Sequence, residues 1–133
     1  MIKVCQLAHA SFFTKLLELT IEFYTTHLGA HVIHEFRNQK GERYGIFLAF
    51  GKRTFLEFFN AENAAPGGSQ FRHLCFEVED IEKASLHFNS IGLTNKVQRG
   101  KTDKVLQFFV KDPNGIELEF HQYDEQCEMF LKY

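Results

Sequence analysis

The sequence predicts an α+β fold of two tandem βαβββ modules, each laying one helix on one face of a curved mixed sheet. Three observations carry that prediction. The chain repeats itself, its apolar residues come in short alternating runs divided by turn signals, and one linker-like stretch, Ala64-Ala65-Pro66-Gly67-Gly68-Ser69, falls near its middle. In the first half His9 is followed fifteen residues later by Tyr24 and then by Gly29; in the second half His73 is followed fifteen residues later by Phe88 and then by Gly92. Further along, Phe55-Leu56-Glu57-Phe58 answers to Glu117-Leu118-Glu119-Phe120. The His-to-Glu intervals, 57 − 9 = 48 and 119 − 73 = 46, differ by the two residues that loop drift in a duplicated module would leave. The modules are expected at about 4–60 and 71–122, joined by a linker over 61–70 and followed by a tail over 123–133, all in one domain.

Each element has a local reason. Residues 4–13 read as a strand, and Thr14 can cap a helix whose Leu17, Ile21, Tyr24 and Leu28 recur at helical spacing up to Gly29. Strands follow over 31–37, 43–50 and 53–59, divided by Asn38-Gln39-Lys40-Gly41 and Gly51-Lys52. In the second half a strand over 71–78 leads to Asp80, a cap for a helix with Ile81, Ala84, Phe88 and Ile91 on one face. Strands near 94–99, 104–111 and 116–122 complete it, the last two joined by the turn Asp112-Pro113-Asn114-Gly115.

Composition narrows the function classes. With 133 residues the chain can build one core, or two small ones side by side, but not two independent domains. Its 16 Phe, with no Trp and only two Pro, predict a Phe-rich core in a sheet-rich protein, or an aromatic-lined cavity. A net charge of −2 with acids and bases interspersed leaves no basic stripe for nucleic acid. No window approaches the apolar length of a membrane span, and the start MIKVCQLAHASFF has no secretory h-region, so a cytoplasmic protein is expected. Cys5, Cys75 and Cys127, odd in number and with no close pair, read as reduced, structural or incidental thiols.

Strand alternation then sorts the polar residues. Leu56 and Phe58 belong under the first helix, so Phe55, Glu57 and Phe59 face the other way, and Glu57 is a carboxylate between aromatic rings that calls for a cationic partner. His73 lies opposite Leu74 and Phe76, His9 shares a face with Leu7, and Glu119 shares one with Glu117 and His121. If each sheet curls away from its helix, His9, Glu57, His73 and Glu119 point into one Phe-walled hollow. Two imidazoles and two carboxylates suit a divalent cation such as Zn, Ni, Co, Mn or Fe. His27, His31, His34 and His87 have no repeat partner of their own type and read as surface or supporting residues. His121 is open to three roles: orienting a ligand, contacting substrate, or sitting in solvent.

With those residues in view, the sequence resembles the vicinal oxygen chelate superfamily, the glyoxalase I, bleomycin resistance and dioxygenase proteins, over about residues 4–122. The resemblance rests on His9 with Glu22-Phe23-Tyr24 and Leu28-Gly29, on His73-Leu74-Cys75-Phe76-Glu77-Val78 with Asp80-Ile81, and on Asp112-Pro113-Asn114-Gly115 before Leu118-Glu119-Phe120. It implies paired βαβββ modules around a metal-binding cavity, and a homodimer. One His and one Glu from each module is similar to the bacterial glyoxalase I metal set. Where that family carries an Arg and an Asn that serve glutathione, this chain has Phe13 and Ala61, with Asn60 one position early. The metal site is therefore carried over and the glutathione thiol is not.

The function so implied is a metal-dependent isomerase or lyase of glyoxalase type. It would act on a small carbonyl or hydroxy-carbonyl substrate through a metal-stabilised enediolate, with Glu57 or Glu119 as base. Phe55, Phe59, Gln107, Phe109 and His121 are the expected substrate-side residues. A second reading is an Fe(II) extradiol-type dioxygenase with His9, His73 and Glu119 on iron; Glu57, as a fourth ligand, counts against it. A third is a non-catalytic, resistance-type binder of small molecules. Phe130, Leu131 and Tyr133 of the tail are expected to cover a sheet edge or a neighbouring chain.

Overall fold

A computed structural model describes Lys3, residues 7–61, Phe71, and residues 73–127 other than Thr102. Residues 4–6 of the expected first strand, Cys5, the linker Ala64 to Ser69, and Phe130, Leu131 and Tyr133 lie outside the described residues. The chain forms two compact units, Met1–Pro66 and Gly67–Tyr133. Both follow the order strand, helix, strand, strand, strand, which is the α+β, two-module architecture the repeat predicts.

Unit one contains β1 (His9–Thr14), α1 (Leu17–Leu28), β2 (His31–Arg37), β3 (Arg43–Phe50) and β4 (Thr54–Asn60). Its sheet has the order β1-β4-β3-β2, with β1 parallel to β4 and the other pairs antiparallel. The turns form as their residues dictate. The Asn38 side-chain oxygen accepts from the backbone N–H groups of Lys40 and Glu42, and Gly41 takes the left-handed φ of 79° that closes the hairpin. One expectation is corrected at the helix start. Thr14 does not cap α1; its hydroxyl accepts from the Leu16 N–H at 2.9 Å and lies 3.3 Å from the Thr20 hydroxyl, while Leu16 is the cap residue. Thr14 is the last residue of β1, so its hydroxyl holds the strand-to-helix corner rather than the first helical turn.

The core of unit one lies between α1 and one face of its sheet. Leu17, Phe23 and Tyr24 from the helix meet Ile46, Leu48, Leu56 and Phe58 from the strands, all buried. The Tyr24 ring packs on Phe58 at 5.4 Å between centroids. The buried stripe runs through Leu17, Thr20, Phe23 and Tyr24, rotated from the expected line because Ile21 and Leu28 are only half-buried.

Unit two contains β5 (Leu74–Glu77), α2 (Ile81–Ser90), β6 (Gln98–Arg99), β7 (Leu106–Lys111) and β8 (Glu117–Gln122), in the sheet order β5-β8-β7-β6. Again the outer pair β5–β8 is parallel and the rest antiparallel. Asp80 caps α2 as expected, its carboxylate accepting from the Lys83 N–H at 3.0 Å. The Asp112 carboxylate accepts from the N–H groups of Asn114 and Ile116, which fixes the turn between β7 and β8. Beneath α2, Ile81 and Phe88 cover Phe108, Val110, Leu118 and Phe120. Phe88 packs on Phe120 at 5.1 Å, the counterpart of Tyr24 on Phe58. The strands expected over 71–78 and 94–99 are shorter than expected, four and two residues long. Among the described residues no helix is long and apolar enough to cross a membrane.

Candidate functional site

Because each helix covers one face of its own sheet, the opposite face carries the polar residues. In unit one that face presents His9, Ser11 and Phe13 from β1, Phe55, Glu57 and Phe59 from β4, and Gly45, Phe47 and Ala49 from β3. Ser11 is the parallel-strand partner of Glu57, and its hydroxyl donates to the carboxylate at 2.8 Å. The His9 ring meets the edge of Phe47 at 5.2 Å, and Phe47 in turn stands opposite Glu57 across the β3–β4 pair. The group that meets Glu57 within this unit is thus a neutral hydroxyl, and the carboxylate is only half-buried.

Unit two repeats the arrangement with different chemistry. Cys75 takes the place of Ser11 as the partner of Glu119, and Phe109 takes the place of Phe47 opposite it. His73 lies just ahead of β5, its ring 6.0 Å from Phe109. Its Nε2 lies 2.8 Å from Glu119 Oε2, and His121 Nε2 lies 2.8 Å from the other carboxylate oxygen, Oε1. Glu119 is 7% exposed and His121 8%, so this carboxylate and its second imidazole are buried. Gln107 stands opposite His121 on the neighbouring strand.

The structure therefore brings His73, Glu119 and His121 together in unit two, with Gln107 and Phe109 beside them. In unit one it puts His9, Phe55, Glu57 and Phe59 on a common sheet face, with no direct contact between His9 and Glu57 among those described. Of the three roles open to His121, burial removes the solvated one.

Cys75, expected from the sequence as a reduced, structural or incidental thiol, stands beside this cluster. Its signal was its position two residues after His73, on the same strand face, combined with the equivalence of His73–Glu119 and His9–Glu57. Among the described residues, Cys75, Glu119 and His121 place a sulfur, a carboxylate oxygen and a ring nitrogen all within 4.8 Å of one another. The surrounding protein pushes the Cys75 thiol up to about 12, and the charge and hydrogen bonding of the Glu119 carboxylate add to that effect.

His121 is oriented from behind. Its Nδ1 lies 3.3 Å from the Tyr123 hydroxyl, which leaves Nε2 directed at the carboxylate. Burial raises the Tyr123 phenol above its ordinary range, followed by the charges of Cys75, Glu77, Cys127 and Glu119. Although close to Glu119, His121 Nε2 is a buried atom without a directed hydrogen bond, and His73 Nδ1 is another. Such orphaned nitrogens call for an unseen partner.

A divalent cation beside Glu119 fits that need at His121 Nε2. Ligand atoms each about 2.1 Å from one ion stand about 3 Å apart at octahedral right angles and about 3.4 Å apart at tetrahedral ones. The separations of 2.8 Å on both sides of Glu119 are of that size. The donors are imidazole and carboxylate, the types that first-row divalent metals take.

Comparison with known proteins agrees with this architecture. The sequence profile of the Glyoxalase/Bleomycin resistance protein/Dioxygenase superfamily matches residues 6–120. The chain is similar to the crystal structure of SMU.1112c, at 28% identity and a TM-score of 0.75, over 90% of this chain and 99% of the other. It is similar to a glyoxalase family protein from Enterococcus faecalis, at 25% identity and a TM-score of 0.67, over 90% and 96%. A lactoylglutathione lyase from Agrobacterium tumefaciens shares the fold at 18% identity and a TM-score of 0.68, over 90% and 94%. No curated protein matches the chain in sequence. A paired-module fold, the repeated His and Glu positions and a profile match spanning both units lead to one conclusion: the chain belongs to the glyoxalase/bleomycin resistance protein/dioxygenase superfamily.

Proposed function

We propose that this protein is a metal-dependent enzyme of the glyoxalase type, an isomerase or lyase that removes a proton next to the carbonyl of a small carbonyl or hydroxy-carbonyl substrate. The observation that supports this is a buried carboxylate, Glu119, with an imidazole nitrogen 2.8 Å from each of its oxygens. His73 and Glu119 are the residues of unit two that would hold the cation, and His9 and Glu57 are their equivalents in unit one. When bound, the cation supplies Lewis acidity toward the substrate oxygens.

The chain's own residues do the rest. Glu119 Oε1 or Oε2 takes the proton from carbon, and His121 Nε2, 2.8 Å from Oε1, holds the carboxylate in line. Phe109 and Gln107, opposite Glu119 and His121, form a wall that is apolar at the carboxylate and hydrogen-bonding beyond it. On unit one, Phe55 and Phe59 flank Glu57 along its own strand, and Phe47 stands opposite it as Phe109 does in unit two. Phe13, 69% exposed where glyoxalase I carries an Arg for glutathione, gives no cation for a glutathione carboxylate. The substrate is accordingly expected to be a free hydroxy-carbonyl compound.

Proton exchange in heavy water tests this without knowledge of the product. Metal-free protein, reloaded in turn with Zn, Ni, Co, Mn and Fe(II), is mixed with a panel of α-hydroxy ketones and aldehydes, and loss of the α-proton signal is followed by NMR. The expected result is metal-dependent exchange that falls at least about 100-fold in Glu119→Gln. Glu57→Gln and His9→Ala report on the equivalent pair. No exchange with any of the five metals would overturn the proposal.

One observation favours a second reading. His73, His121 and Glu119 are two imidazoles and one carboxylate, the set that leaves positions open on Fe(II) for substrate and oxygen. Oxygen uptake with a catechol, dependent on Fe(II) and on His121, would select the dioxygenase instead.

A further inference from the structure

We propose that Cys75 Sγ and His121 Nε2 join Glu119 as direct ligands of the cation, so that unit two carries a sulfur, nitrogen and oxygen site for a borderline-soft divalent metal of the zinc class. This rests on the metal dependence proposed above and goes beyond it. It revises the ligands of that reading: Cys75 and His121 take the place of His73 beside Glu119, so the set lies within one module and includes a thiolate.

Three independent features carry it. The first is convergence, since Cys75, Glu119 and His121 bring their ligand atoms within 4.8 Å of one another from adjacent strands of one sheet face. The parallel register puts Cys75 directly beside Glu119, and the two-residue strand period puts His121 on the same side.

The second is an unmet need. His121 Nε2 is buried, stands 2.8 Å from Glu119 Oε1 and makes no directed hydrogen bond. With Nδ1 donating to the Tyr123 hydroxyl 3.3 Å away, neutral His121 turns a lone pair of Nε2 toward a carboxylate, an arrangement that a bridging metal ion satisfies. Metal-binding histidines are commonly held in this way through their second nitrogen.

The third is the donor chemistry. Thiolate with imidazole and carboxylate selects Zn or Co over Mg, Ca or Mn, whose preferred ligands are oxygen. Three protein ligands leave a fourth position for substrate or water, as catalytic zinc sites require. His73 Nε2, 2.8 Å from Glu119 Oε2, then positions the carboxylate from its other oxygen.

Cobalt reads this out spectroscopically. Metal-free full-length protein, kept reduced with a phosphine, is titrated with Co²⁺ and followed for thiolate-to-cobalt charge transfer in the near ultraviolet. The expected result is a charge-transfer band that saturates at equimolar cobalt and is discharged by Zn²⁺. Cys75→Ser should abolish the band and weaken binding at least about tenfold, while Cys5→Ser and Cys127→Ala retain it. His121→Asn should weaken binding while the Cys75 band persists at saturating cobalt, with circular dichroism confirming the fold. Cobalt bound with visible d–d bands but no charge transfer, or a band that survives Cys75→Ser, would overturn the thiolate ligand and leave the metal dependence standing. No cobalt binding at all would overturn both.

Discussion

Ser11 and Cys75 hold the same position in their respective sheets: each is the parallel-strand partner of its unit's glutamate, Ser11 of Glu57 and Cys75 of Glu119. The duplicated fold therefore accommodates a hydroxyl and a thiol in one backbone setting. It follows that Cys75→Ser changes the free energy of unfolding of the metal-free protein by no more than about 0.5–1 kcal/mol, since the substituted residue is exposed and nearly isosteric. Urea unfolding of the two proteins measures this. A loss of several kcal/mol would show that the two positions are not equivalent.

The neighbouring carboxylate should make the same thiol sluggish. Only the thiolate attacks an alkylating reagent, and Cys75 is pushed up to about 12, by desolvation first and then by Glu119. In metal-free protein near neutral pH, iodoacetamide should modify Cys75 at least about tenfold more slowly than it modifies glutathione. Glu119→Gln removes the negative charge, lowers the thiol's proton affinity and so speeds the reaction, though not to the free-thiol rate, because the protein around the sulfur still desolvates it. Peptide mapping by mass spectrometry follows Cys75 separately from the other cysteines. A slower reaction in Glu119→Gln would reverse the assigned electrostatics.

Much of this arrangement was legible because strand alternation is a strict rule. Leu56 and Phe58 had to lie under a helix if Glu57 did not, and the structure buries both. The fifteen-residue spacing from His9 to Tyr24 and from His73 to Phe88 located the two aromatic rings that pack on Phe58 and Phe120. Thr14 departs from its expected role because a hydroxyl can serve either a helix end or a strand-to-helix corner, and only the backbone of Leu16 decides between them. The cysteine count speaks only to redox state, whereas the place of Cys75 beside Glu119 follows from cross-strand register, which spacing along a single strand does not reveal. The depth of His121 was hidden for a related reason. Its burial depends on β7, β8 and Tyr123 together, not on its own neighbours in sequence.

Gly45 is a tight point on the same sheet face. A Cβ there would lie 2.5 Å from the Phe59 ring and 3.1 Å from Phe36, so Gly45→Ala must push Phe59 aside. Overpacking of this kind costs about 1–3 kcal/mol, and Phe59→Leu in the same molecule should recover most of it by removing the ring. A double-mutant cycle by urea unfolding tests the coupling. Additive losses would mean that the strand, not the ring, takes up the strain.

Acid should selectively weaken the cluster of Glu35 with Arg37 and Arg43. Hydrogen bonds from Arg37, then Arg43, hold the Glu35 carboxyl below its ordinary value of 4.5. A carboxyl lowered on folding adds stability above its unfolded value and gives it up as pH falls through its folded one. The melting temperature of the native protein should therefore exceed that of Glu35→Gln most clearly near about pH 7, with the gap closing below pH 4.5. The pair is at the surface, so added salt should narrow the gap as well. A gap that widens in acid would contradict the direction of the shift.

Phe58 and Phe120 offer the most direct test that the two units are built alike. Each sits on the last strand of its module, is almost fully buried, and meets the aromatic ring of its own helix at 5.4 or 5.1 Å. Phe120 also stacks on Phe76 at 5.8 Å, a contact that Phe58 matches with Phe12 at 5.4 Å. Truncation to alanine removes comparable packing in the two cases and should destabilise the protein by about 3–5 kcal/mol each. Chemical unfolding of the single variants, followed by circular dichroism, measures both losses. If one substitution cost less than about 1 kcal/mol while the other fell in the expected range, the helix-on-sheet core of that unit would not be what holds it together.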